Sequence, residues 1–328
     1  MNVLIIKLGA IGDVIRTTSI LPGLKEKYHC SIDWVTKKES FDVLKNNKLI
    51  DKIYLINESV QKQYDLVISL DDDDEACALA SSVKAEKIIG AYLGNGKKTY
   101  TKDSAPWFDM GLISRFGKQQ ADKLKSKNKK TYQEIMYEIL GLGYRKQEPI
   151  LILNNDEKIF GESFASKHDI KKTDLVIGVN TGAGGRWQDK RLSEIEAAQL
   201  IDKLNKINAR ILLFGGPEEA ERNERIKKLA KTKIIDAGCR NSLMEFASLV
   251  GLCKILVTSD SLALHIGTAL KKKIVVFFYP TSSQEIETFG RGIKIIGKGK
   301  DYCSYKPKCD YPPKWDIEEI AEAVKKLR

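Results

Sequence analysis

Short apolar strands alternate with helices in two separate runs, and this alternation most constrains how the chain can fold. The first run contains predicted strands at 2–8, 31–36, 51–56, 65–70 and 86–92. The second contains predicted strands at 174–180, 209–215, 233–236, 254–259, 272–278 and 293–297. Strands separated by helices form mostly parallel sheets covered on both faces. We therefore predict an α/β fold with two Rossmann-like domains, residues 1–155 and 156–328, facing a central cleft.

Apolar residues at helical spacing predict the helices that accompany these strands. They lie at 12–27, 131–141, 193–207, 217–231, 241–251, 261–270 and 316–327. A length of 328 residues also favours two domains, because single hydrophobic cores stop growing at about 250–300 residues.

A basic segment, residues 95–130, interrupts the alternation between the two runs. It holds ten Lys or Arg and three Asp or Glu, and so supplies much of the net charge of +11. We predict an irregular, mobile lid or arm. Such a segment either attracts anions, such as nucleic acid, phospholipid headgroups or a phosphorylated or carboxylated substrate, or is simply a solvated loop.

The cellular location of the protein is predicted from three features: membrane-spanning runs, a signal peptide and the cysteines. No apolar run reaches the roughly 18 residues of a membrane-spanning helix, and the first residues do not resemble a signal peptide. Six scattered cysteines suit a reducing compartment. We expect a cytoplasmic protein, with peripheral contact at the cytoplasmic face of the membrane through the basic segment.

The first turn, "LGAIGD", places Asp13 directly after a glycine at the end of the first strand. Ligands of parallel α/β sheets bind beyond the carboxyl ends of the strands, so Asp13 is a candidate catalytic residue. A carboxylate in the first turn of a helix also favours the helix dipole. Spacing alone leaves both interpretations open.

Three turns of the second half place polar residues at predicted strand ends. The segment "VNTGAGGRWQDKRLS" offers backbone N–H groups and three cations, and "LLFGGPEEAERNERI" and "VTSDSLALHIGTAL" each lead from a strand into a helix. Helix N-termini with such groups are suited to phosphate. The three cations are Arg186, Lys190 and Arg191.

An acidic run, "DDDDEA" at 71–76, follows the fourth strand. Capping of a helix explains part of it, but four adjacent aspartates exceed what a cap requires. No G-x-G-x-x-G motif is present, which disfavours a nicotinamide dehydrogenase. No aromatic platform accompanies the basic segment, which disfavours nucleic acid as a partner.

Taken together, these segments resemble the glycosyltransferase family 9 heptosyltransferases, which have the GT-B fold. The matching segments are "KLGAIGDVIRTTSILPGLKEKY", "NTGAGGRWQDKRLS", "LLFGGPEEAER" and "TSDSLALHIGTAL" followed by "KKKIVVFFYPTS". The resemblance implies transfer of a sugar, usually L-glycero-D-manno-heptose, from an ADP-activated donor with inversion. The usual acceptor is the lipopolysaccharide core. No metal and no cofactor beyond the ADP-sugar co-substrate is implied.

The resemblance also assigns roles to individual residues. Asp13 corresponds to the general base of the family, and Lys190 would neutralise the donor phosphates. The remaining expected donor-binding residues are Thr181, Gly182, Glu219, Asp260, Ser261 and His265. The expected acceptor-binding residues are Lys7, Arg16, Lys97, Lys98 and Arg115, of which the last three are expected from the positive charge of the basic segment.

The chain departs from the family pattern at two places. Leu262 stands where a small residue is usual, and the acidic run 71–74 would repel an acidic acceptor. These departures make a transferase with a different sugar donor and a non-lipopolysaccharide acceptor the first alternative. A non-catalytic nucleotide-sugar-binding protein is the second, in which Asp13 only caps the helix. Cys303 and Cys309, in "CSYKPKC", are expected as two free thiols or a loop disulfide, because two ligands cannot complete a tetrahedral metal site.

Overall fold

A computed structural model describes residues 1–185 and 187–328. The chain divides into two compact units. The first comprises Met1–Ile152 together with Gln284–Glu287, and the second comprises Leu153–Ser283 together with Thr288–Arg328. Each unit is built around its own six-stranded sheet, so the predicted α/β class with two sheets is confirmed.

The sheet of the first unit has the order β3-β2-β1-β4-β5-β6. Its strands are β1 (Asn2–Ile6), β2 (Ser31–Thr36), β3 (Lys52–Leu55), β4 (Tyr64–Ser69), β5 (Ala85–Gly94) and β6 (Lys97–Tyr100). All neighbouring pairs in this order are parallel except the last, in which β6 is antiparallel to β5. The carboxyl ends of β1 and β4 therefore lie side by side.

Seven helices accompany this sheet among the described residues: α1 (Ile11–Thr17), α2 (Leu21–Tyr28), α3 (Lys38–Leu44), α4 (Asp74–Ser82), α5 (Ala105–Phe108), α6 (Lys118–Lys127) and α7 (Tyr132–Ile139). The single helix predicted at 12–27 is wrong. A 3₁₀ turn at Thr18–Ile20 separates α1 from α2, and Pro22 lies at the start of α2. Proline fits a first turn because its missing N–H has no helical partner there.

The prediction that the basic segment is irregular is also wrong. The segment contains β6, α5 and α6, and β6 extends the sheet at its edge. In α6 only Ala121 is buried, so this helix lacks the apolar stripe from which a helix is recognised.

The sheet of the second unit has the order β12-β11-β10-β7-β8-β9, and all its paired strands are parallel. Its strands are β7 (Val176–Asn180), β8 (Arg210–Phe214), β9 (Ile234–Asp236), β10 (Ile255–Ser259), β11 (Lys273–Phe278) and β12 (Gly292–Ile296). Its helices are α8 (Asn155–Lys167), α9 (Glu194–Asn205), α10 (Ala220–Leu229), α11 (Leu243–Leu252), α12 (Leu262–Ala269) and α13 (Ile317–Leu327).

The core of each unit lies between its sheet and the covering helices. In the second unit, Leu200 and Ile201 of α9 pack with Val257 of β10 and Val324 of α13. Every residue of β7 and of β10 is buried, as in a sheet covered on both faces. The described part of the chain contains no helix with the length and apolar character needed to cross a membrane.

Candidate active site

The turn between β1 and α1 presents Asp13 at the carboxyl edge of the first sheet. Helix α1 begins at Ile11, so Asp13 lies in its first turn, as predicted. The side chain of Asp13 is 34% exposed, and its Oδ1 lies 2.9 Å from Nε of Arg16. The carboxylate is therefore held by a charge of its own helix and remains accessible to a ligand.

Two aromatic rings hold the guanidinium of Arg16. It lies 3.9 Å from the centre of the Tyr132 ring and 5.7 Å from the centre of the Trp107 ring. Those two rings meet edge to face at 5.2 Å, and the Tyr132 hydroxyl lies 2.6 Å from Oγ1 of Thr17. Cation–π contacts of this kind stabilise the guanidinium at the two rings. Through the ion pair with Asp13, Arg16 thereby helps to position that carboxylate.

A buried ion pair lies beside Asp13. Nζ of Lys7 donates to Asp71, and the backbone N–H of Leu8 donates to the same carboxylate. Burial alone would lower the pKa of Lys7, but the negative charges of Asp71 and Asp13 outweigh it and raise that pKa. Lys7 is therefore a permanent cation that carboxylates of the chain already neutralise.

The acidic run separates into distinct roles. Asp73 is the N-cap of α4 and accepts a hydrogen bond from the N–H of Ala76 at 2.9 Å. The exposed carboxylate of Asp74 pairs with Lys98 at 3.0 Å. Helix capping therefore accounts for Asp73, one of the four aspartates. A second, Asp71, is accounted for by its ion pair with Lys7.

A pocket of about 220 Å³ in the first unit brings several of these residues together. Its lining includes Lys7, Asp13, Asp71, Asp72, Trp107 and Glu285. Of the predicted acceptor residues, Lys7 lines the pocket, and the guanidinium of Arg16 lies 5.7 Å from the ring centre of the lining residue Trp107. The pocket therefore joins the candidate base to polar groups and an indole ring.

The other predicted acceptor residues lie outside the described lining of this pocket. Lys97 is exposed on β6, beside Lys98. Arg115 makes two hydrogen bonds of 3.0 Å to the carboxylate of Asp109. The Tyr100 hydroxyl donates to the same carboxylate, and the Arg115 guanidinium lies 5.5 Å from that ring.

In the second unit, β7 and β10 are parallel neighbours and bring Asn180 close to Ser261. Nδ2 of Asn180 lies 3.3 Å from Oγ of Ser261 and 3.1 Å from Oγ1 of Thr258. Ser261 is the N-cap of α12, but its hydroxyl makes no capping hydrogen bond to this helix. The N-terminus of α12 thus lies at a cluster of hydroxyl and amide groups.

Lys190 and Asp260 form a buried pair at this cluster. Nζ of Lys190 lies 2.8 Å from Oδ2 of Asp260 and 3.0 Å from its carbonyl oxygen. The hydroxyl of Thr281 donates to the same Oδ2 at 2.7 Å. Burial would raise the pKa of Asp260, but the charges of Lys190 and His265 and these hydrogen bonds lower it to about 2. Asp260 therefore stays ionised and holds Lys190 in place.

The side chain of Thr181, a predicted site residue, is held by a hydrogen bond to Asn223, which the sequence analysis did not identify. Its hydroxyl donates to Oδ1 of Asn223 at 2.6 Å, and Nδ2 of Asn223 donates to the carbonyl of Phe214 at 3.2 Å. Asn223 lies inside α10, where an asparagine carries no distinguishing pattern. Asn180 and Thr281 were also missed, although the position of Asn180 as the last residue of β7 could have indicated it.

Glu219 is buried against the turn that carries Gly182. Its Oε2 accepts a hydrogen bond from the N–H of Gly216 at 2.9 Å, and its Oε1 lies 3.7 Å from Nη1 of Arg191. A Cβ at position 182 would lie 2.9 Å from Oε2 of Glu219, so a larger residue there would displace this carboxylate. Beyond this turn, an open pocket of about 550 Å³ is lined by Asn223, Cys239, Arg240 and Asn241, among other residues.

No disulfide joins Cys303 and Cys309, which leaves the disulfide alternative without support. The N–H of Cys309 donates to Asp189 at 2.8 Å, and burial together with the charge of Asp189 raises the pKa of this thiol to about 12. Among residues 1–185 and 187–328, no three His, Cys, Asp or Glu side chains are grouped to hold a metal ion. The predicted cation Arg186 lies outside the described residues.

Two α/β units with polar groups at the carboxyl ends of their strands match the GT-B fold of glycosyltransferases, and solved structures agree. A family 9 glycosyl transferase from Veillonella parvula superposes with a TM-score of 0.81 at 19% identity, covering 99% of this chain and 96% of that one. The Escherichia coli ADP-heptose lipopolysaccharide heptosyltransferase II superposes with a TM-score of 0.67 at 16% identity, covering 100% and 98%.

The chain belongs to glycosyltransferase family 9, a family of glycosyl-transferring enzymes. The family model, described as glycosyltransferase family 9 (heptosyltransferase), matches residues 54–313. The lipooligosaccharide heptosyltransferase 2 of Haemophilus influenzae is 21% identical, over 99% of this chain and its own full length. The lipopolysaccharide heptosyltransferase 2 of E. coli is 31% identical over 124 residues, which are 36% of this chain and 34% of that protein. The predicted family and fold are confirmed.

Proposed function

We propose that the protein transfers heptose from an ADP-activated donor to a hydroxyl of a cell-surface glycan, with inversion at the anomeric carbon. The family membership and the heptosyltransferase relatives support the sugar and the donor. The observation that carries the proposal is the pocket in which the accessible carboxylate of Asp13 lies beside polar groups and Trp107. Each unit then contributes one half of the reaction.

The first unit supplies the base. An inverting transfer needs a group that takes the proton of the acceptor hydroxyl while its oxygen attacks the anomeric carbon. Asp13 is accessible, and Arg16 fixes its orientation. A base held in one orientation contributes more than a mobile one, because the proton must be within hydrogen-bond reach at the moment of attack.

The second unit binds the donor. Negative charge grows on the leaving diphosphate, and Lys190 together with the N-terminus of α12 would stabilise it. Thr181, Ser261 and His265 lie around the same strand ends, and the buried Glu219 would accept a hydrogen bond from a ribose hydroxyl. Because Lys190, still paired with Asp260, and the N–H groups of α12 would donate hydrogen bonds to the diphosphate, we propose that transfer does not require a metal ion, and that turnover persists in EDTA.

The acceptor side is proposed to meet an anionic glycan or glycolipid through the basic segment. Its exposed lysines, among them Lys118, Lys123 and Lys127, would hold the protein at the cytoplasmic face of a membrane. Vesicles with anionic lipids should bind the protein at low salt and release it at high salt, since screening acts over about 8 Å at physiological ionic strength. Changing these three lysines to glutamine should weaken that binding, whereas Lys228, Lys325 and Lys326, exposed in the second unit, are matched controls.

A nucleotide-sugar screen tests the proposal against its alternatives. Thermal shift with ADP-, UDP- and GDP-sugars identifies the donor, and ADP release from ADP-heptose in the presence of an acceptor reports transfer. We expect a shift with ADP-heptose and acceptor-dependent release. Binding without release under any acceptor would favour a non-catalytic nucleotide-sugar-binding protein. A shift with only UDP- or GDP-sugars would favour a transferase with a different donor.

A further inference from the structure

The charge of the Asp13 pocket opposes the binding of an anion. Its lining contains four carboxylates against two ammonium groups. The carboxylates are those of Asp13, Asp71, Asp72 and Glu285, and the ammonium groups are those of Lys7 and Lys125. A concave site lined mainly by one sign of charge repels ligands of the same sign.

The cations nearest to the candidate base are engaged by the chain itself. Lys7 is buried against Asp71, and Arg16 pairs with Asp13 while it lies over the Tyr132 ring. A phosphate or carboxylate that took either cation would leave a carboxylate of the protein without its counter-charge. Breaking the buried pair of Lys7 and Asp71 in this way is strongly unfavourable.

The pKa of Asp72 also reflects the excess of negative charge in the pocket. Burial and the negative charge of Asp71 raise its pKa, because both disfavour the ionised carboxylate. A further anion in the pocket would add to this effect. A hydroxyl that donates a hydrogen bond to Asp72 would instead stabilise its ionised form.

The size and walls of the pocket suit one sugar ring. A volume of about 220 Å³ is below the roughly 300–1,000 Å³ of pockets that hold drug-sized ligands. Trp107 and Phe108 supply apolar surface, whereas carboxylates and the Lys7 ammonium supply hydrogen-bond acceptors and donors. Ring C–H groups and hydroxyls of a sugar match this combination.

We propose that the pocket selects an uncharged, hydroxyl-rich sugar ring as the reacting unit of the acceptor, and discriminates against a ring that itself bears a phosphate or carboxylate. This inference rests on the proposed transferase. Anionic groups elsewhere on a larger glycan would lie outside the pocket, where the basic segment can meet them.

The test compares two acceptors that share one ring, a methyl heptoside and its phosphate monoester. ADP release from ADP-heptose gives kcat/KM for each, and ligand-observed NMR without donor gives binding of each. We expect kcat/KM for the neutral acceptor to exceed that for the phosphorylated one at least tenfold, with the same order in binding. A second pair, methyl mannoside and methyl mannuronate, repeats the comparison with a carboxylate.

Two substitutions locate the discrimination in the pocket. Asp72→Asn removes a negative charge from the lining, so the preference for the neutral acceptor should shrink several-fold. Asp74→Asn is the matched control, because Asp74 is exposed, belongs to the same run and pairs with Lys98 instead. Its preference should equal that of the wild type. Melting temperatures of both variants confirm that they are folded.

The outcomes separate this inference from the proposed function. Turnover or binding that favours the charged member of each pair would overturn the inference and leave the transferase standing. Neutral-selective binding without ADP release would support the selectivity of the pocket for an uncharged ring, but it would contradict the transferase and with it the role of that ring as an acceptor. An unchanged preference in Asp72→Asn, or no binding and no turnover with any of the four acceptors, would overturn the inference.

Discussion

Nζ of Lys190 lies 2.8 Å from Oδ2 of Asp260, in a buried pair at the carboxyl ends of β7 and β10. The pair joins two segments that are 70 residues apart in the chain. It places a positive charge beside the N-terminus of α12, where an anionic diphosphate is expected. The relationship has consequences for both ligand binding and stability.

Lys190→Ala is expected to weaken ADP binding by about 1–3 kcal/mol, the range for losing a charge-assisted hydrogen bond. It should also lower the melting temperature, because Asp260 remains buried without its counter-charge. Isothermal titration calorimetry with ADP measures the first effect. Lys203→Ala is the control, since Lys203 pairs with Glu318 at the surface. ADP affinity that is unchanged in Lys190→Ala would remove this lysine from the donor site.

The lowered pKa of Asp260 predicts a pH dependence of stability. The folded-state pKa of Asp260, about 2, lies below the ordinary aspartate value of 3.8, so the ionised form stabilises the folded state above the higher value. This contribution, about 2 kcal/mol, is lost as the pH falls from about 4 through about 2. Urea unfolding of wild type and Asp260→Asn should therefore show a stability difference that shrinks over this range. A difference that stays constant down to pH 2 would contradict the assignment.

Arg16 is expected to act as a positioning residue for Asp13. Arg16→Lys keeps the charge but loses the planar group that lies over Tyr132. Turnover should fall about tenfold to a hundredfold, because small displacements of a base are costly, while ADP affinity stays unchanged. Arg145→Lys is the control, since Arg145 forms an exposed pair with Glu26. Equal losses in turnover and ADP affinity would indicate general damage to the fold instead.

Sequence patterns predicted which residues lie at the strand ends, but they did not predict which side chains pair with one another there. The turn glycines and strand periodicity correctly placed Asp13, Asp260 and Ser261 at strand-to-helix turns, because these signals are local. The pairing of Lys7 with Asp71 was not predicted, since 64 residues separate them and only the parallel register of β1 and β4 brings them together.

The residue Trp107 in the wall of the Asp13 pocket was not predicted, for a different reason. Trp107 lies on the four-residue helix α5, inside the segment predicted as irregular. Helices α5 and α6 are short or nearly devoid of buried residues, so no apolar period marks them. Cation–π contact with Arg16 depends on tertiary packing that a single sequence does not display.

The central claim is that Asp13 is the general base, and Asp13→Asn tests it most directly. The amide keeps the size of the side chain and an oxygen that can accept from Arg16, but it does not take up a proton as a carboxylate does. Asp42→Asn is the matched control, because Asp42 is exposed on α3 and pairs with Lys45. Both variants are assayed for ADP binding and melting temperature.

The decisive measurement is the rate of ADP release from ADP-heptose at saturating acceptor. The account predicts that Asp13→Asn lowers this rate about 10²–10⁴-fold, the usual contribution of a positioned base, with ADP affinity and melting temperature close to those of the wild type. Near-normal turnover in Asp13→Asn would contradict the account, as would a loss of activity accompanied by an equally large loss of stability.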